Sequence, residues 1–149
     1  MTAPGPTVAR ECVEGYLYRA PPVELLIFRR PPGRGGFWVP ISGKVDPGDA
    51  DLEAALRREL LEETGLARPR RVLPLDWSVT FPVESGATWR LHAFAVEVEP
   101  GFEPRLSDEH DAWAWVSAAE AAGRLHFEDN RAAVGRLLER VGPAPPPNV

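Results

Sequence analysis

The sequence predicts an α+β domain in which helices pack against a mixed sheet. Three observations lead there. Short apolar runs with strand character stand on both sides of one strong amphipathic helix candidate, at 52–66. Two further helical segments close the chain. Strands and helices do not alternate in the β-α-β rhythm that a parallel sheet requires.

The elements follow in order. Residues 8–20 carry Val8, Cys12, Val13, Tyr16, Leu17 and Tyr18, a strand composition, and Val23 to Phe28 is a short apolar run suited to a buried strand. Pro31 to Gly36 (PPGRGG) reads as a loop, and strand-like sequence resumes over Phe37 to Ile41. Asp46-Pro47-Gly48 is a turn signal. Leu52 to Leu66 is the long helix, with Asp49 or Asp51 as its N-cap and Gly65 as its stop. Val72 to Val83 and Thr88 to Val98, joined by the turn at 84–87, predict an antiparallel hairpin. Pro100 to Pro104 is loop. Ala112 to Val116 is a short strand with Trp113 and Trp115 on one face. Ser117 caps a short helix to Leu125, and Asp129 to Val141 forms the last one. The expected domain is 1–142, with a Pro-rich, disordered tail over 143–149.

Composition narrows the function. At 149 residues, 44% apolar and 26% charged, the chain fits one globular domain and neither a fibre nor a disordered segment. Its net charge of −5 makes it a poor non-specific binder of nucleic acid. No run of 18 apolar residues predicts a membrane span, and Met1 to Arg10 lacks the apolar core of a signal peptide. Cys12 is the one cysteine, so no intrachain disulfide forms and a cytoplasmic setting is expected. In a predicted strand, Cys12 reads as packing rather than as a nucleophile.

The long helix carries the chemistry. At about 100° per residue, Leu52, Ala55 and Leu56 share a face. Continuing that row reaches Glu59 and Glu63, with Glu62 on its flank. A merely soluble helix would set its acids opposite the leucines, whereas here they follow them. Three carboxylates this close repel and raise one another's pKa unless a cation neutralises them. They also sit near the helix C-terminus, where the macrodipole disfavours negative charge. Carboxylate oxygens suit Mg²⁺ or Mn²⁺. Arg58 lies four residues before Glu62, at ion-pair spacing.

This segment resembles the Nudix box: Gly, five residues, Glu, seven residues, then Arg-Glu-aliphatic-x-Glu-Glu-x-Gly-aliphatic. Gly43 matches the opening glycine, and Arg58, Glu59, Leu60, Glu62, Glu63, Gly65 and Leu66 match the closing block. Asp49 stands where the pattern has its early Glu, and the stretch from Gly43 to Arg58 is one residue longer, which places the extra residue at the helix start. Downstream, Glu109, His110, Trp113 and Trp115 are similar to segments of two subfamilies, the dihydroneopterin triphosphate/dATP pyrophosphohydrolases and the asymmetric diadenosine tetraphosphate hydrolases. Asp129-Asn130-Arg131 looks more like the first.

The resemblance implies a Nudix-type α/β/α sandwich and a hydrolase that cleaves a phosphoanhydride bond by water attack at phosphorus. It implies a nucleoside-triphosphate-type substrate such as dihydroneopterin triphosphate or dATP, with a dinucleoside tetraphosphate as the alternative and a non-catalytic nucleotide sensor as a further one. By the same resemblance Glu59, Glu62 and Glu63 hold Mg²⁺ or Mn²⁺, joined by Glu109 and the Ser42 carbonyl. Glu59 or Glu109 is the general base, and Arg58 orients Glu62. Trp113, Trp38 and Arg34 are the candidate substrate contacts. Trp113 can stack on a base, and Arg34 in the glycine-rich loop can reach phosphates.

Overall fold

The structure, a computed structural model, describes residues 7–142. The expected tail at 143–149 lies outside the described residues. The strands are β1 (Val8–Arg19), β2 (Glu24–Arg29), β3 (Trp38–Val39), β4 (Ile41–Lys44), β5 (Arg71–Pro82), β6 (Thr88–Glu97) and β7 (Ala112–Ser117). The helices are α1 (Leu52–Thr64), α2 (Ala118–Arg124) and α3 (Glu128–Val141). All seven strands join one sheet, with central order β3-β2-β1-β6-β5 and with β4 on β1 and β7 on β2. β1 runs parallel to β6 and the other pairings are antiparallel, so the sheet is mixed as the sequence predicts.

Two features of this sheet position the site. The strand expected over 37–41 splits at Pro40, which has no N–H to give a ladder. Trp38 and Val39 pair with β2, while Ile41 to Lys44 pair with β1. One edge of β1 thus changes partner: β4 faces Cys12 to Gly15 and β2 faces Leu17 to Arg19. The end of β2, the start of β4 and the loop before β7 are left facing one cleft.

Alternation along β1 builds two cores. Val13 and Leu17 point to one face with Leu26, Phe28, Ile41, Phe94 and Val96, and α1 seals it through Ala55, Leu56 and Leu60. Tyr16 and Tyr18 point to the other, with Leu25, Ile27, Leu75 and Ala95, under Ala121 of α2 and Ala133, Val134 and Leu137 of α3. This is the helix–sheet–helix sandwich that the sequence predicts.

The caps follow from local chemistry. Asp51, not Asp49, caps α1 by accepting from Ala54 N–H at 2.7 Å. Gly65 ends the helix in the left-handed region at φ 74°, where a side chain would be strained. Ser117 caps α2 as expected, through Glu120 N–H. Among the described residues no helix is long and apolar enough to cross a membrane.

Candidate active site

The apolar row of α1 does run into its acids. Ala55, Leu56, Leu60 and Glu63 are all buried, and Glu63 keeps only 4% of its surface. Glu62 turns outward, with its side chain 60% exposed, because the buried row passes through Leu60, Glu63 and Thr64. Glu59 lies against β4 over Gly43. A β-carbon there would stand 2.1 Å from Glu59 Cδ, so only glycine lets this carboxylate reach its place.

Arg58 ties helix, turn and strand together. Its Nε and Nη2 donate to the two Asp49 oxygens at 3.1 and 2.9 Å, Nη2 also to the Lys44 carbonyl at 2.9 Å, and Nη1 to Glu59 Oε1 at 2.9 Å. Its distance to Glu62 is 3.5 Å. The expectation that Arg58 orients Glu62 therefore changes: the fork grips Asp49 and Glu59, and Glu62 is a lesser partner. This gives Asp49 its role. The carboxylate standing where the pattern has Glu anchors Arg58, and the chain bends at Ala50 and Asp51 before the helix begins. The Arg58 guanidinium and the Asp46 N–H hold the Asp49 carboxyl below its ordinary range.

Glu59, Glu62, Glu63 and Glu109 lie near enough to act on one another. Burial pushes the Glu63 carboxyl up to about 10, and the facing Glu109 carboxylate, Glu59 and Glu62 add to the shift. Burial also raises Glu59, with Arg58 pulling the other way. As the side chains lie, no three carboxylate, imidazole or thiol groups among the described residues converge on one point. The donor set nonetheless fits a divalent cation. Glu63 Oε2 is buried and takes no hydrogen bond, a cost that a hard cation would relieve. Glu62 and Glu109 are 60% and 51% exposed in their side chains and have room to turn toward it.

Two cavities adjoin this corner. A polar one of about 300 Å³ is lined by Arg30, Arg34, Ser42, Glu109 and His110. Arg34 Nη1 stands 3.8 Å from Glu109 Oε1. His110 is buried on Phe28 with its Nδ1 unpartnered, and burial lowers its pKa. A second, mainly apolar cavity of about 410 Å³ continues the α3 side of the sheet; its walls include Phe81, Trp89, Leu91, Phe127, Cys12 and Glu14. Arg30 and Ser42 line both. Burial pushes the Glu14 carboxyl up to about 7, against the pull of its Tyr16 hydrogen bond. Cys12 is buried, as its strand position predicts, and also reaches the cavity wall.

Of the predicted substrate contacts, Arg34 lines the polar cavity, while Trp38 and Trp113 line neither of the two. Trp113 pairs with Phe28 across β7 and β2 and packs on the α1-side core, as does Trp115. Trp38 packs on the opposite core under the Arg124 guanidinium, 4.4 Å from its ring centre. Both tryptophans are partly buried, each packed against one of the two cores. The aromatic residues that do line a cavity, Phe81, Trp89 and Phe127, carry no motif, and no local signal marks them. Arg30 closes the strand β2 run and reads as an ordinary strand-end arginine.

The model of the NUDIX domain matches residues 15–138, so the chain belongs to the Nudix family. It is 40% identical over 139 residues to an octanoyltransferase of Myxococcus xanthus, a match covering 90% of this chain and 37% of that protein. The chain thus spans little more than a third of that relative. It is 32% identical over 99 residues to the asymmetrical bis(5'-nucleosyl)-tetraphosphatase of Rattus norvegicus, covering 65% of this chain and 67% of that one. The E. coli dihydroneopterin triphosphate pyrophosphohydrolase superposes with a TM-score of 0.76 at 18% identity, over 91% of this chain and all of that one, which shows a shared fold.

Proposed function

We propose that this protein hydrolyses a phosphoanhydride bond of a nucleoside or pterin polyphosphate, dependent on Mg²⁺ or Mn²⁺, and that its substrate is of the nucleoside-triphosphate type. One observation carries the reading. An aromatic cavity and a polar cavity with two arginines meet at Arg30 and Ser42, beside the carboxylates of α1. A heterocycle fits the first and a phosphate chain the second. The aromatic cavity that adjoins the polar one suits the single heterocycle of such a substrate. The similarity to the Rattus norvegicus tetraphosphatase favours the second reading, a dinucleoside tetraphosphate whose other base stays outside.

Glu59, Glu62 and Glu63, with Glu109 and the Ser42 carbonyl, would hold the cation. A divalent cation supplies the positive charge that brings a polyphosphate to an acidic protein, and it acidifies water. The chain's own groups do the rest. Arg30 and Arg34 bind phosphate oxygens, Arg58 fixes Glu59, and the ring of His110 closes the cavity wall. Glu109 lines the polar cavity while Glu59 does not, which supports Glu109 over Glu59 as the acceptor of the attacking water's proton.

The test is product identification with dihydroneopterin triphosphate, dNTPs and diadenosine tetraphosphate, with Mg²⁺ and with chelator. Chelator-sensitive release of pyrophosphate and a monophosphate is expected. ATP plus AMP from the dinucleotide establishes the second reading, and nucleotide binding with no cleavage establishes a sensor. Glu63→Gln is expected to lower kcat at least about 10²-fold, on the scale of a lost transition-state electrostatic contact. It is also expected to abolish the rise in melting temperature that Mg²⁺ gives the wild type. An unchanged Mg²⁺ shift refutes the assignment of Glu63 to the metal site.

A further inference from the structure

Resting on the reading that the aromatic cavity holds the heterocycle, we propose that Glu14 makes this protein selective for heterocycles with two adjacent N–H donors. That edge is the 2-amino-4-oxo pattern shared by guanine and the pterins. The argument starts from the direction of three hydrogen bonds. Asn130 Oδ1 accepts the Phe127 N–H at 3.0 Å, which turns the other end of the amide inward. Its Nδ2 donates to Tyr16 Oη at 2.9 Å. The tyrosine hydroxyl, occupied as an acceptor, passes its one proton to Glu14 Oε1 at 2.6 Å. Glu14 is therefore held as an acceptor. Among the described residues its Oε2 takes no hydrogen bond, although Glu14 is only 8% exposed and lines the cavity.

A carboxylate on an apolar wall calls for donors. Guanine offers a ring N–H beside an amino group, and a pterin offers the same pair, which matches the two oxygens of one carboxylate. Asp129, on the same wall, can take a further amino proton. Adenine and cytosine set an amino group beside a ring nitrogen that is itself an acceptor, so a lone pair would face the carboxylate. Hypoxanthine keeps the ring N–H but lacks the amino group. Sites that leave a buried polar group unpaired reject such analogues strongly.

The test uses monophosphates, so it does not depend on turnover. Calorimetry on the full chain measures Kd for GMP, IMP, AMP and neopterin monophosphate. GMP and neopterin monophosphate are expected to bind roughly tenfold or more tightly than IMP and AMP. Equal affinities within about twofold overturn the proposal, and so does a preference for AMP. If only one of the two favoured ligands binds, cavity shape adds discrimination between base and pterin while the donor edge stands. In Glu14→Gln the amide oxygen keeps the Tyr16 bond and an N–H₂ faces the cavity, so the GMP:IMP ratio is expected to fall to near one. A ratio unchanged in that variant, whatever its melting temperature, reduces Glu14 to a structural strut. Should the variant not fold, the wild-type ligand series decides alone. Selective GMP binding without cleavage of any polyphosphate refutes the hydrolase reading and leaves this one standing. Cleavage of GTP and dATP with equal kcat/KM does the reverse.

Discussion

Replacing Gly43 by Ala separates catalysis from folding. The added methyl would lie 2.1 Å from Glu59 Cδ and 2.4 Å from Oε1. Ordinary contact begins near 3.4 Å, so the carboxyl must retreat by about 1.3 Å. Its 2.9 Å bond to Arg58 Nη1 is then lost. The clash falls on the far end of a flexible side chain and Gly43 sits in an extended strand, so the backbone need not move. Losing a half-buried ion pair costs up to about 1 kcal/mol. Replacing a glycine stiffens the unfolded chain and returns about 0.4–1 kcal/mol. Stability should therefore stay within about 5 °C in melting temperature. Displacing a catalytic group by about 1 Å costs on the order of 10²-fold in rate. Thermal unfolding and steady-state hydrolysis on the same preparation check this. Undiminished kcat would show that the position of Glu59 does not matter to the reaction. A collapse in melting temperature would show that Gly43 serves the fold instead.

Two further outcomes follow from the same geometry. The Asp49 carboxyl is held below its ordinary range by Arg58, so it favours the folded state at any pH above the unfolded value near 3.8, and this contribution fades as pH falls through the lower folded value. Asp49→Asn should thus melt below the wild type at pH 7, with the gap closing toward pH 3; a gap independent of pH would refute the Arg58 pairing as its source. Trp89→Ala should raise KM about tenfold by removing a stacking surface, while Trp113→Phe should lower the melting temperature and leave KM alone. The opposite pattern would return Trp113 to the binding site and remove Trp89 from it.

The sequence by itself determined the sandwich class, the course of α1 and the place of Glu63 on its buried row. These are properties of short spacings. A helical period carries Leu56 to Glu63 whatever packs against it, and capping chemistry needs only a few neighbours, as Gly65 and Ser117 show. The tertiary structure decided everything that depends on which strands lie side by side. It split the strand at Pro40 and set Gly43 under Glu59. It turned the Arg58 fork to Asp49, nine residues away, rather than to Glu62 one helical turn on. It packed Trp38 and Trp113 against the two cores and brought Phe81, Trp89 and Phe127 to one cavity. Asn130 meets Tyr16 across 114 positions, a pairing that no local pattern encodes. Local rules act over a few residues, whereas a binding cavity is closed by residues distant in sequence, whose neighbours are fixed only when the sheet assembles.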